Sequence, residues 1–273
     1  MDAAYLRLRA KFPTVRPLIV DVLKFSLLAA VLATVMIRST EDLGYHWQWY
    51  RVPRYLLSAT EGTWISGPLL KGLIVTLQIT AVSLVLASAF GLATALMRLS
   101  NSVLARMVAR LYLELIRNTP LLVQLFFIYF VLSPVFAISG FTSAVLALSL
   151  FEGAYASEII RAGILSIHRG QWEAAFSTGL NTWRTYRLVI LPQALRNIMP
   201  PLTGQAISLI KDSALVSTIA IFDLSMQGQA IVAETYLVFE IWFTVAAIYL
   251  VITLALSFTV GLMETRFGPN HQT

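Results

Sequence analysis

The 273-residue chain has no cysteine, which excludes disulfides, thiolate metal sites and cysteine nucleophiles. Charge is scarce as well: Asp, Glu, Lys and Arg together make up 12% of the residues, against about a quarter in ordinary soluble domains. The histidines His46, His168 and His271 are scattered, and neither a His-Glu-x-x-His helix nor a Gly-x-Ser-x-Gly elbow is present. Hydrolase chemistry therefore has no support, and His168 beside Arg169 reads as a solvated loop residue. A Walker A lysine is followed by Ser or Thr, but Lys11 and Lys24 precede Phe, Lys71 precedes Gly and Lys211 precedes Asp. No nucleotide loop, metal or cofactor is expected on this chain.

What the chain has in abundance is apolar sequence: 58% of residues are hydrophobic and the mean hydropathy is +0.75. The net charge of +6 is dispersed between apolar runs and forms no single stripe, so membrane topology explains it better than nucleic acid does. Six apolar stretches are long enough to cross a bilayer, for which an α-helix needs roughly 20 residues. They lie near Pro17 to Ile37, Leu69 to Met97, Arg110 to Leu132, Phe141 to Ile160, Pro192 to Phe222, and Phe239 to Met263. The expected fold is all-α: one polytopic membrane protein with six transmembrane helices. Pro120 in the third stretch, and Pro200 and Pro201 in the fifth, predict bends within longer spans.

Lys and Arg near span ends favour the cytoplasmic side. Arg7, Arg9, Lys11 and Arg16 put the amino-terminal tail inside. Counting spans from there, the connections with Arg98, Arg106 and Arg110, and with Arg169, Arg184 and Arg187, also fall inside, as does the carboxyl terminus. The connections Ser133 to Gly140 and Asp223 to Val238 fall outside and contain no Lys or Arg. The first outer loop, Arg38 to Gly67, mixes both signs and is neutral on this point. A secretory signal is the rival for the first stretch, but signal h-regions run about 7–15 residues, and this stretch is longer and carries Asp21 and Lys24. A retained anchor is preferred. Tyr45, Trp47, Trp49, Tyr50 and Trp64 suit the outer interface, where aromatic rings are enriched. Docking of an external partner is their second use.

Between the fourth and fifth spans lies a polar, basic stretch, Gln171 to Gln193, that contains Glu173, Ala174, Ala175 and, four residues further, Gly179. Two alanines and a glycine leave little bulk on one face of a short helix, which suits close docking against another protein. Gly170 is placed to break from the preceding span, Gly179 to end the short helix, and Asn181 or Thr182 to cap the next. On composition alone an ordinary basic surface loop is the simpler reading.

The pattern Glu-Ala-Ala, three residues, Gly, nine residues, Val-Ile-Leu-Pro resembles the EAA signature of transmembrane subunits of bacterial ABC importers. Ala-Tyr-Ala-Ser-Glu-Ile-Ile-Arg-Ala-Gly-Ile from Ala154, Arg-Asn-Thr-Pro-Leu-Leu-Val-Gln at Arg117 to Gln124, and Leu-Ile-Lys-Asp-Ser-Ala-Leu at Leu209 to Leu215 narrow the resemblance to the polar amino-acid uptake permeases. Asp212-Ser213-Ala214 departs from the Asp-Thr-Ser common in that family. The resemblance implies a five-helix permease core at 67–273 with a cytoplasmic coupling loop at 166–190, preceded by an added tail, helix and periplasmic loop at 1–66. It also implies a multi-pass protein of the bacterial inner membrane and an importer of polar amino acids. Two separate ATPase subunits carrying ATP and Mg, a second identical or homologous permease subunit, and a periplasmic or extracellular substrate-binding protein are the implied partners. Gly170, Glu173, Ala174, Ala175 and Gly179 would form the ATPase-coupling segment. A passive channel or membrane scaffold is the alternative from another class.

Ionisable residues within spans are costly and usually face a bundle interior or an aqueous path. Glu114 with Arg117, and Glu158 with Arg161, are three apart and placed to pair. Gln124, Glu152, Gln205, Lys211 and Asp212 are the candidate substrate path, since an amino-acid zwitterion needs both donors and acceptors. A helix interrupted at Pro200 and Pro201 would add unpaired backbone dipoles there. A structural role for Lys211 and Asp212, holding the fifth span against its neighbours, is the equal alternative.

Overall fold

The computed structural model describes residues 15–42, 44–60 and 63–267. Arg7, Arg9 and Lys11, on which the expected placement of the amino terminus rests, lie outside them. The chain divides into two compact units, Met1–Trp49 and Tyr50–Thr273. In the first, α1 (Val15–Asp42) runs for 28 residues, about 42 Å at 1.5 Å per residue, and exposes apolar side chains such as Leu23 and Phe25. Trp47 then stacks on Trp49 at 5.8 Å.

The second unit opens with α2 (Pro53–Leu56) and an antiparallel hairpin of β1 (Leu57–Thr60) and β2 (Thr63–Ser66), with Leu57 opposite Ser66. This hairpin, inside the segment read as the first outer loop, is the one departure from an all-helical chain among the described residues. It folds back so tightly that a Cβ on Gly67 would lie 2.3 Å from the Tyr55 carbonyl oxygen. The helices follow: α3 (Pro68–Leu99), α4 (Val103–Arg117), α5 (Leu121–Phe126), a π-helical turn Phe127–Leu132, α6 (Ser133–Phe136), α7 (Gly140–Leu165) and α8 (Arg169–Ser177). Next come α9 (Thr182–Thr185), a second π-helical turn Tyr186–Ile190, α10 (Leu191–Asp212), a 3-10 segment Ser213–Ile219, α11 (Leu224–Thr235) and α12 (Val238–Phe267). Ser102, Ser139 and Asp223 cap α4, α7 and α11 by accepting backbone N–H groups that the first turn leaves without partners.

Among the described residues α3, α7 and the Val238–Gly261 part of α12 are each long and apolar enough to cross a membrane. The third expected span, Arg110 to Leu132, is not one straight helix. The chain stops at Arg117, turns through 104° and resumes at Leu121. Pro120 has no N–H to donate and disfavours helical geometry at Thr119, while Gln124 Nε2 donates to the carbonyls of Ile116 (2.7 Å) and Thr119 (3.0 Å) left open by the turn. In the fifth span the expectation of a break at Pro200 and Pro201 is overturned, because α10 continues through both. Thr203 Oγ1 donates back to the carbonyls of Met199 (3.0 Å) and Pro200 (2.7 Å), and Ile198 packs so closely on α7 that a Cβ on Gly163 would meet it at 2.2 Å. Helical geometry in this segment changes at the second π turn and the 3-10 segment instead.

The centre of the unit is the contact of α3 with α7. Ser83, Ala87, Gly91 and Ala95 recur every fourth residue of α3 and are all buried, so they form one small-residue stripe. A Cβ on Gly91 would stand 2.8 Å from that of Ala156, and one on Gly153 would stand 2.8 Å from the Phe90 Cβ. The Ser149 hydroxyl donates to the Val145 carbonyl at 2.5 Å and approaches the Ser83 carbonyl at 3.4 Å. Lipid is as apolar as leucine, so close backbone packing and such hydrogen bonds hold membrane helices together. Around this seam Ile79, Leu121, Leu125, Leu148, Leu209 and Val216 make the main apolar cluster.

Gly153→Leu should lower stability by about 1–3 kcal/mol or prevent folding, because overpacking a rigid helix contact forces backbone movement; thermal unfolding in detergent reads the loss, with Gly261→Leu, whose Cβ meets nothing within 4 Å, as the control. Burial pushes the Asp223 carboxyl up to about 6, so the folded chain holds this proton more tightly than the unfolded one. Its contribution to stability is therefore greatest below the unfolded value near 4 and falls as pH rises through about 6. Asp223→Asn, which keeps a capping oxygen, should flatten the melting temperature across that window.

Candidate functional site

The coupling segment is a small helix with both ends built in. At its start His168 is exposed, as expected, and its Nδ1 also caps α8 by accepting the Gly170 N–H at 3.1 Å. The break from α7 falls at Ser166 to His168, and Gly170 sits within the first turn of α8 instead of making the break. At its end Gly179 takes φ +80°, and two reverse hydrogen bonds close the helix, from Gly179 N–H to the Phe176 carbonyl (3.0 Å) and from Leu180 N–H to the Ala175 carbonyl (3.3 Å). This is the Schellman arrangement, which needs a left-handed residue after the cap. Asn181 then caps α9 by accepting the Arg184 N–H at 2.9 Å.

The two alanines differ. Ala175 is buried and Ala174 exposed. Trp172 packs edge-on against Tyr186 at 5.0 Å, tying α8 to the π turn that leads into α10, while Glu173, Ala174, Phe176 and Ser177 face outward. Glu173 also pairs with Arg169 at 3.1 Å, an exposed contact of the kind worth at most about 1 kcal/mol. The result is a firmly seated helix whose outer face carries one carboxylate, one methyl and one aromatic ring.

The candidate path residues separate into three groups. Glu152 on α7 is 2% exposed, its Oε2 accepts from Gln205 Nε2 on α10, and Asp212 lies close enough for the two carboxyls to interact. Glu152 Oε1 makes no hydrogen bond of normal geometry. Gln205 and Asp212 are seven residues apart and fall on one side of α10, whereas Lys211 is turned about 100° away and is exposed. Gln124 serves the elbow between α4 and α5 and lies outside this cluster. The cavity beside Glu152 and Gln205 holds about 40 Å³, room for a water or two but below the roughly 300 Å³ of small-ligand sites. Two carboxyls and an amide make an acceptor-rich cluster of the kind that suits an ammonium group.

At the end of α7 nearest α8, Glu158 is the centre of an ion network that sequence spacing revealed only in part. Its Oε2 takes Arg161 at 3.2 Å, as the spacing predicts, and its Oε1 takes both Arg98 from α3 and Arg117 from α4, the latter at 3.1 Å. The expected Glu114–Arg117 pair does not form, because Arg117 turns to Glu158 and Glu114 Oε2 accepts from Asn118 at 2.8 Å. Only the tertiary fold brings three helices to one carboxylate.

Comparison with known proteins fits this architecture. Residues 87–269 match the family described as binding-protein-dependent transport system inner membrane component. The glutamine transport system permease protein GlnP of Escherichia coli K12 is 43% identical over 207 residues, covering 74% of this chain and 94% of that protein. The L-cystine transport system permease protein TcyB of Bacillus subtilis is 43% identical over 203 residues, covering 73% and 86%. A crystal structure of an amino acid ABC transporter with histidines superposes with a TM-score of 0.69 at 43% identity, covering 73% of this chain and 94% of that one. The inward-facing MetNI methionine ABC transporter, at 20% identity and a TM-score of 0.62, shares the fold. The chain is a multi-pass, helical membrane protein and belongs to the family of inner membrane components of binding-protein-dependent transport systems.

Proposed function

We propose that this chain is the permease subunit of an inner-membrane ABC importer for polar amino acids, energised by ATP and Mg bound on two separate ATPase subunits. The observation that carries the reading is the identity of 43% with permeases named for glutamine and for cystine, each over more than 200 residues. The outward face of α8 supports the partner: Glu173 and Ala174 offer a small, acidic contact, Ala175 and Trp172 seat the helix, and Gly170 and Gly179 let its two ends close tightly. A second identical or homologous permease subunit would complete the path, and an external binding protein would deliver substrate. The distribution of Lys and Arg along the sequence supports a cytoplasmic location for α8 and, as a matter of topology, for both termini. Residues 1–66 are an addition to the permease domain at 67–273, in keeping with relatives that match only about three quarters of the chain.

In this reading Glu152, Asp212 and Gln205 receive the substrate ammonium when α7 and α10 part. Lys211, exposed and turned away from this cluster, would meet the substrate carboxylate only outside it, and Gln124 keeps the neighbouring elbow in shape. ATP-driven closure at α8 is transmitted through Trp172 and Tyr186 to α10, a rigid-body switch between two packings.

Four outcomes test it. Glu173→Lys should cut substrate-stimulated ATP hydrolysis by more than about tenfold, since like-charge juxtaposition at an interface costs several kcal/mol, while membrane insertion is unchanged. Gly179→Val should impair coupling as well, because a β-branched residue at positive φ strains the cap by about 1–2 kcal/mol. A single cysteine at Ala174 should crosslink to the ATPase, and one at the buried Ala175 should not; labelling of Ala174→Cys from outside only would defeat the orientation. Glu152→Gln and Asp212→Asn should lower uptake in liposomes by about tenfold or more per assembled complex, the scale of losing a charged hydrogen bond. Uptake unchanged in both variants would remove the cluster from the path, and uptake without any ATPase would favour a passive channel.

A further inference from the structure

Between α3, α4 and α7 lies a polar cavity of about 360 Å³ lined by Arg98, Arg110, Arg117, Tyr155, Glu158 and Asn118 among others. It is within the range of about 300–1,000 Å³ typical of small-ligand sites, and it lies at the α7 end that leads into α8. Its charge is out of balance. Four guanidiniums, those of Arg98, Arg110, Arg117 and Arg161, surround two carboxylates, Glu114 and Glu158. Both oxygens of Glu158 are taken by Arg98, Arg117 and Arg161, and Glu114 is engaged by Asn118. Arg110 forms no ion pair with any described residue and points into the same cavity.

Helix α4 adds a second observation. Arg106, Arg110, Glu114 and Arg117 form one stripe along it, while Leu104, Met107, Val108, Leu111 and Leu115 are exposed on another side. The chain turns through 104° before the following span, so α4 does not continue into that crossing. Such a helix, apolar on one side and basic on the other, suits the plane where acyl chains meet head groups. Arginine pairs with phosphate through its planar fork, and basic pockets between membrane helices hold anionic head groups.

We propose that this cavity is a binding site for the phosphate of an anionic phospholipid, with Arg110 as the principal ligand, Arg98 and Arg117 completing the positive wall, and the acyl chains lying along the apolar side of α4. The chemistry recognised is a phosphate anion, which free phosphate shares. The exposed leucines and methionine beside the cavity favour the lipid source. The site is independent of transport; the orientation proposed for α8 would place it in the inner leaflet, and that placement alone rests on the transport reading.

The test is native mass spectrometry on the purified full chain, titrated in separate arms with phosphatidylglycerol, with phosphatidylcholine of the same acyl chains, and with inorganic phosphate. Phosphatidylglycerol should be retained over phosphatidylcholine. Arg110→Ala should weaken that retention by about fivefold, the worth of one basic side chain at a membrane surface, and Arg110→Glu should abolish the preference. Arg196→Ala, which removes the same charge from α10, should leave it intact. Arg110 is exposed, so both variants should fold, as unchanged melting temperatures would confirm. Equal retention of the two lipids, or retention indifferent to Arg110, overturns the proposal. Inorganic phosphate bound in place of phosphatidylglycerol overturns the lipid source. No ATP, substrate or ATPase enters the measurement, so its failure leaves the transport reading standing, and failure of uptake leaves the lipid site standing.

Discussion

The close approach of α3 and α7 governs much of the second unit. In hydrocarbon two helices gain little by hiding leucines from lipid, and association depends on packing at short range. Ser83, Ala87, Gly91 and Ala95 on one side, and Ser149, Gly153 and Ala156 on the other, remove the side-chain bulk that would keep the backbones apart. That contact fixes the depth of Glu152 and Glu158 on α7, six residues apart. One faces α10 and the other faces the ends of α3 and α4. A shift of one turn along the seam would separate Glu158 from Arg98.

Backbone hydrogen bonding sets a second constraint, because an unsatisfied carbonyl in the membrane costs several kcal/mol. At three irregular points among the described residues a side chain meets the open backbone group: Gln124 donates at the elbow before α5, Thr203 donates behind the two prolines, and His168 accepts the Gly170 N–H at the start of α8. Gln124 is the instructive case. A buried glutamine in a span suggests a polar path, yet its donor is occupied by the Ile116 and Thr119 carbonyls. The prolines at 200 and 201 are instructive in the opposite sense. Packing on α7 and the Thr203 hydroxyl keep α10 helical where the residues alone predict a break.

Polar groups are consequently concentrated in few places. The Glu152, Gln205 and Asp212 cluster is rich in acceptors, and the cavity around Arg110 is rich in donors. They sit on different faces of α7 and suit ligands of opposite sign. The outer face of α8 lies apart from both, and Trp172 seats that helix against Tyr186 in the π turn that leads into α10.

Composition and hydropathy by themselves determined that this is a helical membrane protein and where the second, fourth and sixth expected spans lie, while the short helix between the fourth and fifth was legible only from its two alanines and glycine beside the motifs around it. Apolar length and small residues are local quantities that a chain carries in its order. The Glu158–Arg161 pair and the Asn181 cap were legible for the same reason, being contacts within a turn. The tertiary structure decided what depends on meetings across the chain: that Arg98 and Arg117 reach Glu158, that Asp212 and not Lys211 turns toward Glu152, that Ala175 is buried and Ala174 exposed, and that the third span is an elbow. Adjacent residues on a helix point about 100° apart, and which of those directions meets a neighbour is set only when the helices have packed.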